Sequence, residues 1–427
     1  MNFLKSFARI SRRNALLSLQ QKMMVPRNIH TSPLSSGAQH IPPYGDNSLV
    51  NLMVNDEKEK ETLLKSCKHT QECSDRNACD IELLTVGAFS PLTGFMNQEE
   101  YNSVVKNMRL PNNLLFGLPI VFDTRNDAIQ VGDKIKLTYK DQVLGVLDVN
   151  SKWQPDKVFE AKQSYGTTSL EHPAVQMISM ERGNYYLGGR VFGFEIPKRV
   201  FPCLTPAEVR SQILPAGADV VVFQCRNPIH RAHYELFSRA LTAPNVRPGA
   251  VCLVHPTCGP TQDDDIPGVI RFHTYEVLRK ELGEDRIKWA YLPYSMHLAG
   301  PREALQHMIL RRNYGCTHFI VGRDMAGCKS SLTGEDFYGV YDAQQMALSV
   351  AKELGMQVVP SADVVFTEEK GYVVVDEAKK DGLHVMKLSG TKFRQMLRAG
   401  QEIPEWFAFK SVVEVLRKHI APVKKDA

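Results

Sequence analysis

Two histidines and two arginines lie within a segment of eleven residues, 223–233, with the sequence FQCRNPIHRAH. His230 and His233 are three residues apart, so on a helix both imidazoles project from the same face. Arg226 carries a planar guanidinium that can bind an oxyanion through two hydrogen bonds. These residue types suit a site that binds phosphate or sulfate groups and stabilises charge that moves during a transfer reaction.

The elements around this segment would place those side chains at the end of a strand. Residues 218–222, ADVVV, form an apolar run typical of a buried parallel strand. Asn227 is predicted to be the N-cap of the following helix and Pro228 its first residue. Apolar residues then recur at helical spacing, at Ile229, Ala232, Leu236 and Ala240. The free amides and positive dipole end of such a helix start favour anions.

The histidine pair alone would be weak evidence for an anion site. A histidine on an amphipathic helix is more often a surface or core residue, and a pair at this spacing could also hold a metal ion. The sequence offers no third metal ligand nearby. The whole segment is far more specific than the pair, and it favours anion binding.

Residues 224–233, QCRNPIHRAH, resemble the Gln-x-Arg-Asn-Pro-x-His-x-x-His signature of the ATP sulfurylase family. The resemblance covers roughly residues 51–417 and implies transfer of AMP from ATP to sulfate by in-line attack on the α-phosphorus, giving adenosine 5′-phosphosulfate and pyrophosphate. Other segments resemble further motifs of the family in the same order: 87–96 (GAFSPLTGFM), 255–256 (HP) with 263–267 (DDDIP), 300–304 (GPREA), 322–327 (GRDMAG), 334–339 (GEDFYG) and 389–392 (SGTK).

The resemblance implies a role for each chemical group of the first segment. Gln224 and Arg226 are expected to hold sulfate, and Cys225 and Asn227 belong to the loop that meets ATP. The two histidines, His230 and His233, are expected to stabilise the transition state at the phosphates. Together with Arg226 and Asn227 they form the predicted catalytic set.

A second set of binding residues is implied after a later strand. Arg323 and Asp324 would contact nucleotide or sulfate, and the backbone N–H of Ala326 would face sulfate. Val364 falls where relatives contact adenine. Mg²⁺ is expected to arrive with ATP, held mainly by phosphates and water, with no protein metal ligand. The substrate-binding residues predicted in this part of the chain are Gly322, Arg323, Asp324, Met325, Ala326 and Val364.

The chain departs from the family pattern at three positions. Met325 stands where the family commonly has histidine, His297 where it usually has arginine, and Ser361 where some relatives have phenylalanine. Met325 removes ring donors but leaves a backbone contact to ATP. His297 removes a permanent positive charge and is expected to make activity more dependent on pH. An active enzyme is still predicted.

The charge of the chain is divided unevenly. Its net charge is +5 over 427 residues, but residues 1–45 contain six Lys or Arg and no Asp or Glu. The remainder therefore has 46 basic and 47 acidic residues, a net charge of −1. This balance argues against nucleic-acid binding. No apolar run approaches the roughly eighteen residues of a membrane helix.

The basic leader has the composition of an organelle transit peptide, because it is rich in arginine, free of acids and has Leu16, Leu17 and Leu19 among its charges. A secretory signal would need a longer apolar core. Import into a mitochondrion or mitochondrion-derived organelle is predicted, with cleavage near residues 27–36. A plastid is the alternative destination, and a merely disordered N terminus is the second interpretation.

Nine cysteines are present without a Cys-x-x-Cys pair. Cys67, Cys73 and Cys79 are evenly spaced with His69 nearby, so a zinc site is conceivable. Their spacing matches no compact zinc motif, and free thiols in a reducing compartment are favoured.

The pattern of elements predicts an α/β protein with a leader (1–45) and three further regions. Residues 46–200 are strand-rich, with strands predicted at 118–122, 128–131, 134–137 and 143–147, and the resemblance implies a PUA-like β-barrel domain. Residues 201–360 are predicted to form a Rossmann-like, doubly wound parallel sheet. Its strands are predicted at 220–223, 250–254, 287–292, 318–321 and 357–359, and its helices near 228–241, 269–282, 301–313 and 342–354.

Residues 224–233 and 322–327 both follow predicted strands of the central sheet, where such sheets bind ligands, so they can share one crevice. Neither has the Gly-Lys pattern of a P-loop. Residues 361–427 are predicted to be a small α/β region with a hairpin around Glu369–Gly371 and a helix capped by Ser389 and ended by Gly400. No fused adenylylsulfate kinase is expected.

Two other functions remain as alternatives. One is adenylyl transfer to another acceptor, such as phosphopantetheine or nicotinamide mononucleotide. The other is a catalytically silent RNA-binding or assembly protein that uses its barrel. For the favoured enzyme, the implied partners are ATP and sulfate, a downstream adenylylsulfate kinase or reductase, inorganic pyrophosphatase and further copies of the chain in a homo-oligomer.

Overall fold

The computed structural model describes residues 40–46, 48–262, 265–283 and 285–419. Within them, three sheets of six, five and three strands follow one another along the chain. The predicted transit peptide lies outside the described residues. None of the helices in the described ranges is both long and apolar enough to cross a membrane.

The first part of the described chain is rich in strands, as predicted. The hydrogen-bonded order of its sheet is β1-β4-β5-β6-β2, with β3 also paired to β6. In β4 every second residue is buried, so Ile135, Leu137 and Tyr139 face the core. Its elements are α1 (Glu57–Lys65), β1 (His69–Glu72), α2 (Asp75–Thr85), β2 (Gly94–Phe95), α3 (Gln98–Asn107), β3 (Phe122–Thr124), β4 (Lys134–Tyr139), β5 (Gln142–Trp153), α4 (Lys157–Tyr165), α5 (Pro173–Gln176), a π-helical turn (Met177–Glu181) and β6 (Tyr185–Gly193).

The central part alternates strands and helices, and all five strands of its sheet are parallel. Every residue of β7, β8 and β10 is buried, which is expected when helices cover both faces of a sheet. Its elements are α6 (Pro206–Glu208), a π-helical turn (Val209–Ile213), β7 (Val220–Phe223), α7 (Arg231–Ala240), β8 (Val251–Val254), α8 (Gly268–Leu282), β9 (Ile287–Trp289), α9 (Pro301–Asn313), β10 (His318–Val321), α10 (Asp342–Leu354) and β11 (Gln357–Pro360).

The last part contains the predicted hairpin, because β12 and β13 are antiparallel neighbours joined through residues 368–370. Ser389 caps α12 by accepting a hydrogen bond from the Lys392 amide, and Gly400 follows that helix with φ of +65°. The elements are β12 (Val364–Thr367), β13 (Gly371–Val374), α11 (Val375–Lys380), β14 (Val385–Met386), α12 (Gly390–Arg398) and α13 (Lys410–His419).

The strand order of the central sheet is β11-β10-β7-β8-β9. The chain therefore starts in the middle of the sheet, adds β8 and β9 on one side, and then crosses to add β10 and β11 on the other. This confirms the predicted doubly wound topology. Its switch point lies between β7 and β10, where loops leaving the two strands in opposite directions open a crevice.

Three local predictions are wrong. Of the predicted strand 118–122, only Phe122 lies in a strand, because β3 begins there. Residues 128–131 form no strand, and β3 pairs with β6 rather than with that segment. The helix after β7 begins at Arg231 with His230 as its N-cap, three residues later than the predicted N-cap Asn227 and first residue Pro228. The Arg231 amide donates to the Phe407 carbonyl, 3.1 Å away, so a contact with the C-terminal region accompanies the later start.

Candidate functional site

A cleft of about 230 Å³ lies at the switch point of the central sheet. It is bounded by the loop after β7 and the loop after β10, as the sequence predicted. The predicted site residues that line it are Gln224, Cys225, Arg226, Asn227, His233, Gly322, Arg323, Asp324, Met325 and Ala326. Two predicted residues are not among the lining residues, namely His230 and Val364.

His230 lies directly behind the cleft-lining His233. The two rings are stacked with their centroids 3.8 Å apart, and His230 also stacks on Phe407 at 5.5 Å. His233 packs in turn against Phe223 at the end of β7, at 5.6 Å. The pair is thus held in place by aromatic neighbours on both sides.

Both imidazoles are uncharged in this environment. Burial lowers the pKa of His230 from 6.5 to about 4. Burial, and then repulsion by a charge on His230, lower the pKa of His233 well below 6.5. The Nδ1 atom of His233 is buried and has no hydrogen-bond partner within the described residues. Because a buried polar atom without a partner is costly, this nitrogen is suited to a ligand group.

Arg226 extends from the loop after β7 and is about four-fifths buried. Its Nε lies 3.3 Å from the Asp265 carboxylate, which orients the guanidinium while leaving terminal N–H groups for an anion. Gln224, two residues earlier, donates weakly from Nε2 to the sulfur of Met296 at 3.8 Å. An amide and a guanidinium from alternate positions of one loop therefore border the same cleft.

Two residues of α8, Arg271 and Tyr275, fix the backbone of this loop. The Arg271 side chain, 3% exposed, donates from Nη1 to the Arg226 carbonyl at 2.7 Å and to the Thr257 carbonyl at 3.2 Å. The Tyr275 hydroxyl donates to the Asn227 carbonyl at 3.1 Å. With these carbonyls turned toward α8, the loop presents its polar side chains to the cleft.

Sequence reasoning missed both of these residues. They are four apart, so they share one face of α8. In the sequence they look like ordinary members of an amphipathic helix. The structure shows that the other members of this face, Thr274 and Leu278, are also buried, which the sequence does not reveal.

The loop after β10 turns sharply because Asp324 and Ala326 both have left-handed backbone conformations, with φ of 53°. Such conformations are uncommon for residues other than glycine and concentrate at functional sites. The Gly300 amide donates to the Ala326 carbonyl at 3.0 Å, which anchors the turn. Arg323 is half exposed and forms ion pairs with Asp324 at 2.9 Å and Asp363 at 3.2 Å.

Val364 is the first residue of β12, on the segment that follows Asp363. The Asp363 carboxylate binds Arg323 of the cleft, so Val364 lies one residue from a cleft partner without lining the cleft itself. Ser361, one of the departures from the family pattern, donates its amide to the Val321 carbonyl at 3.1 Å. Both positions therefore flank the end of β10.

His297 lies outside the cleft. It is 6% exposed and borders a second cavity of about 250 Å³, where its Nδ1 lies 3.2 Å from the Tyr165 hydroxyl. Burial, followed by the charges of Arg76 and Arg182, lowers its pKa well below 6.5. The neutral form of the ring is therefore favoured, which does not support the expectation that His297 makes activity more dependent on pH.

All nine cysteines are free thiols. Burial raises the pKa of Cys225 to about 12, so its thiol is not a nucleophile at neutral pH. In the described ranges, no three His, Cys, Asp or Glu side chains are grouped so as to hold a metal ion.

Comparison with known proteins identifies two matching families. The ATP-sulfurylase family matches residues 202–419, and the PUA-like domain matches residues 41–195. A solved structure, that of a hexameric APS kinase from Thiobacillus denitrificans, has a similar fold. Its TM-score is 0.70 at 24% identity, and the match covers 90% of this chain and 69% of that one.

Curated relatives extend the similarity over most of the chain. The sulfate adenylyltransferase of Schizosaccharomyces pombe is 40% identical over 361 residues, which is 82% of this chain and 72% of the relative. That of Saccharomyces cerevisiae is 37% identical over 391 residues, 88% of this chain and 76% of the relative. With a family match over half of its length and relatives this similar, the chain belongs to the ATP-sulfurylase family.

Proposed function

We propose that this protein is a sulfate adenylyltransferase, which transfers AMP from ATP to sulfate and releases pyrophosphate. The observation that carries the proposal is the cleft at the switch point, where Arg226, Gln224 and His233 face the turn that contains Ala326. Family membership supplies the reaction, and the cleft supplies groups of the kind that reaction needs.

The chemistry requires little more than positioning and charge stabilisation. Sulfate is already a dianion at neutral pH, so no general base is needed to activate it. The difficulty is to bring two anions together and to stabilise the charge that develops on pyrophosphate. The cleft suits this task, because cationic and amide donors line it, its carboxylate Asp324 is paired with Arg323, and its one thiol, Cys225, is protonated.

Sulfate would lie between the two loops. Arg226 would bind it through the N–H groups that Asp265 leaves available, with Gln224 and the Ala326 amide completing the contacts. The attacking oxygen would then point at the α-phosphorus of ATP. Because Arg271 and Tyr275 fix the loop backbone, little reorganisation is needed when the anions arrive.

The stacked histidines, with Asn227, would act at the phosphates. A polyanion beside His233 favours the protonated ring, so binding is expected to raise the pKa that burial lowers. The positive end of the α7 dipole lies at the N-cap His230, which stacks on His233, and would add to the attraction of the phosphates. Arg323 would exchange part of its pairing with Asp324 and Asp363 for the nucleotide, and the backbone beside Val364 would border adenine.

Mg²⁺ is part of the proposal only as a companion of ATP. In the part of the chain that the structure describes, Asp324 of the cleft lining and Asp265 beside Arg226 are each paired with an arginine. This donor set fits a metal held by phosphates and water rather than by a protein cage. When bound, Mg²⁺ would neutralise part of the triphosphate charge.

The proposal is tested by following sulfate-dependent release of pyrophosphate and formation of labelled adenosine 5′-phosphosulfate from ATP labelled at the α-phosphate. Phosphopantetheine and nicotinamide mononucleotide serve as competing acceptors. We expect product only with sulfate, and none with Arg226→Ala. Transfer to either competitor in preference to sulfate would refute the proposed substrate. Arg190→Ala, on the exposed face of β6, is the matched control and should be fully active.

Three further points complete the proposal. The basic leader supports import into a mitochondrion or related organelle. N-terminal sequencing of the organellar protein would test this, and an intact Met1 in the cytosol would refute it.

The product is a mixed anhydride, so an adenylylsulfate kinase or reductase and inorganic pyrophosphatase are the proposed consumers of the two products. A homo-oligomer is also proposed, and sedimentation would test it.

A further inference from the structure

Arg311, near the end of α9, is a completely buried arginine that the proposed mechanism does not use. Its exposed fraction is 0%. The guanidinium contacts the Nδ1 of His307 at 2.7 Å and donates to the His255 carbonyl at 3.1 Å. Its Nε, and the ring nitrogens Nδ1 and Nε2 of His255, have no hydrogen-bond partner within the described residues.

No carboxylate compensates this charge in the described part of the chain. Burial lowers the pKa of Arg311 to about 10, and the groups that oppose this effect are thiols and tyrosines: Cys316, Tyr314, Tyr294 and Cys225. The guanidinium is therefore charged at neutral pH. A buried charge without a counterion destabilises a protein far more than an apolar side chain of similar volume would. Packing alone gives no reason for an arginine here.

The position of Arg311 relates it to the cleft. The carbonyl that it binds belongs to His255, the residue directly after β8, and the His255 amide donates to Phe223, the last residue of β7, at 2.9 Å. The loop with Gln224 and Arg226 leaves from that point. Arg311 also lowers the pKa of Cys225 in that loop electrostatically. The charge is thus buried beneath the floor of the anion site.

We propose that Arg311 is a long-range electrostatic residue of the site: its uncompensated charge attracts the anionic substrates, and their binding supplies the counter-charge that the fold lacks. This inference rests on the proposed function. It assigns Arg311 a role without any contact with substrate, since the surrounding residues separate it from solvent and the interior screens charge weakly.

Ligands of different charge distinguish an electrostatic role of Arg311 from a purely structural role. Loss of a field weakens each ligand in proportion to its charge, whereas a distorted loop weakens neutral and charged ligands alike. At an effective dielectric constant of about 20 and a distance of about 10 Å, one unit charge changes affinity by roughly tenfold. Adenosine, AMP and ADP form a series of rising negative charge with one nucleoside.

The experiment measures dissociation constants of these three ligands by calorimetry for the full chain and for Arg311→Gln, Arg311→Lys and Arg312→Gln. Arg311→Gln should bind adenosine within about twofold of the unmodified protein, AMP at least tenfold more weakly, and ADP more weakly still. Arg311→Lys retains the charge and should preserve most of the affinity. Arg312→Gln, at the neighbouring position, should change none of the three.

Equal losses for all three ligands, or no loss for ADP, would overturn the proposal. If Arg311→Gln does not fold, Arg311→Lys provides the test instead. Its ammonium should deprotonate when the pH is raised from 7 to 9, a range in which Arg311 itself stays mostly charged, and ADP affinity should then fall more than in the unmodified protein. The proposal would also be overturned if the higher pH lowered the ADP affinity of Arg311→Lys no more than that of the unmodified protein. If the unmodified protein binds neither AMP nor ADP, the proposed function itself fails, which is a distinguishable result.

Discussion

The imidazoles of His230 and His233 are stacked 3.8 Å apart, and the same burial that holds them together keeps both neutral. One ring lines the cleft and the other supports it from behind. A second positive charge in so close a pair would be strongly repelled. Near neutral pH, an anion beside the pair would favour protonation, which links its charge to substrate binding.

The first prediction concerns stability and pH. The pKa of His230 is lowered to about 4 in the folded chain, while the unfolded chain titrates near 6.5. Between these values the unfolded state binds more protons, so the free energy of unfolding should fall as the pH falls from about 6.5 to 4. In His230→Gln this fall should be smaller, by on the order of 1–3 kcal/mol, in denaturant titrations at several pH values.

His273→Gln is the control for this experiment, since His273 is exposed on α8. Its stability should follow that of the unmodified protein across the pH range. The interpretation of the stacked pair would be contradicted if His230→Gln and His273→Gln had the same pH dependence.

The second prediction concerns the residues that hold the loop. Tyr275→Phe removes the hydroxyl that donates to the Asn227 carbonyl. We expect kcat/KM for sulfate to fall roughly tenfold and the free energy of unfolding to fall by about 1 kcal/mol. Tyr291→Phe removes a hydroxyl that donates to Glu276, away from the cleft, and should affect stability alone. Similar kinetic losses in both variants would show that the loop contact has no special role.

The third prediction concerns His297. Its ring is buried close enough to Arg76 and Arg182 for their charges to lower its pKa. His297→Arg restores the residue usual in the family but adds a third positive charge, so the free energy of unfolding should fall by about 1–3 kcal/mol. The pH–rate profile near neutrality should keep its shape, because the original ring does not titrate there. A new or lost inflection between pH 6 and 8 would show that residue 297 does titrate in the working enzyme.

The fourth prediction concerns Met325, which lines the cleft while part of its side chain packs against the core. Met325→His would add a ring donor next to the phosphates. Pyrophosphate should bind several-fold more tightly, at a loss of about 1 kcal/mol in stability from the missing packing. Met346→His, at another partly buried core position on α10, should lose stability without any gain in affinity. Unchanged pyrophosphate binding in Met325→His would refute the idea that this departure weakens the site.

The strands of the central sheet could be predicted because they are buried on both faces and so appear as apolar runs. Residues 318–321 and 220–223 illustrate this, since both match the observed strands β10 and β7. The two loops could be placed in one crevice because the topology of an alternating α/β chain fixes where strand ends meet. The site residues follow from that placement and from the family motifs.

The features of the fold and site that could not be predicted from the sequence depend on contacts between residues far apart in the chain. Arg271 acts on a carbonyl 45 residues earlier in the chain, and nothing in its own neighbourhood indicates that partner. The start of α7 was placed too early because local capping rules favoured Asn227, whereas the Arg231 amide is bound by Phe407 from the C-terminal region. His297 was expected to titrate because its burial could not be read from the sequence.

The most direct test of the central claim is ATP synthesis from adenosine 5′-phosphosulfate and pyrophosphate by the purified full chain and by Arg226→Ala. If fixed cationic and amide groups at the switch point bring the two anions into line, the unmodified chain should form ATP only when both substrates are present. Arg226→Ala should then form essentially none while unfolding at nearly the same denaturant concentration. The absence of ATP from the unmodified chain, or equal rates in the two proteins, would contradict the account.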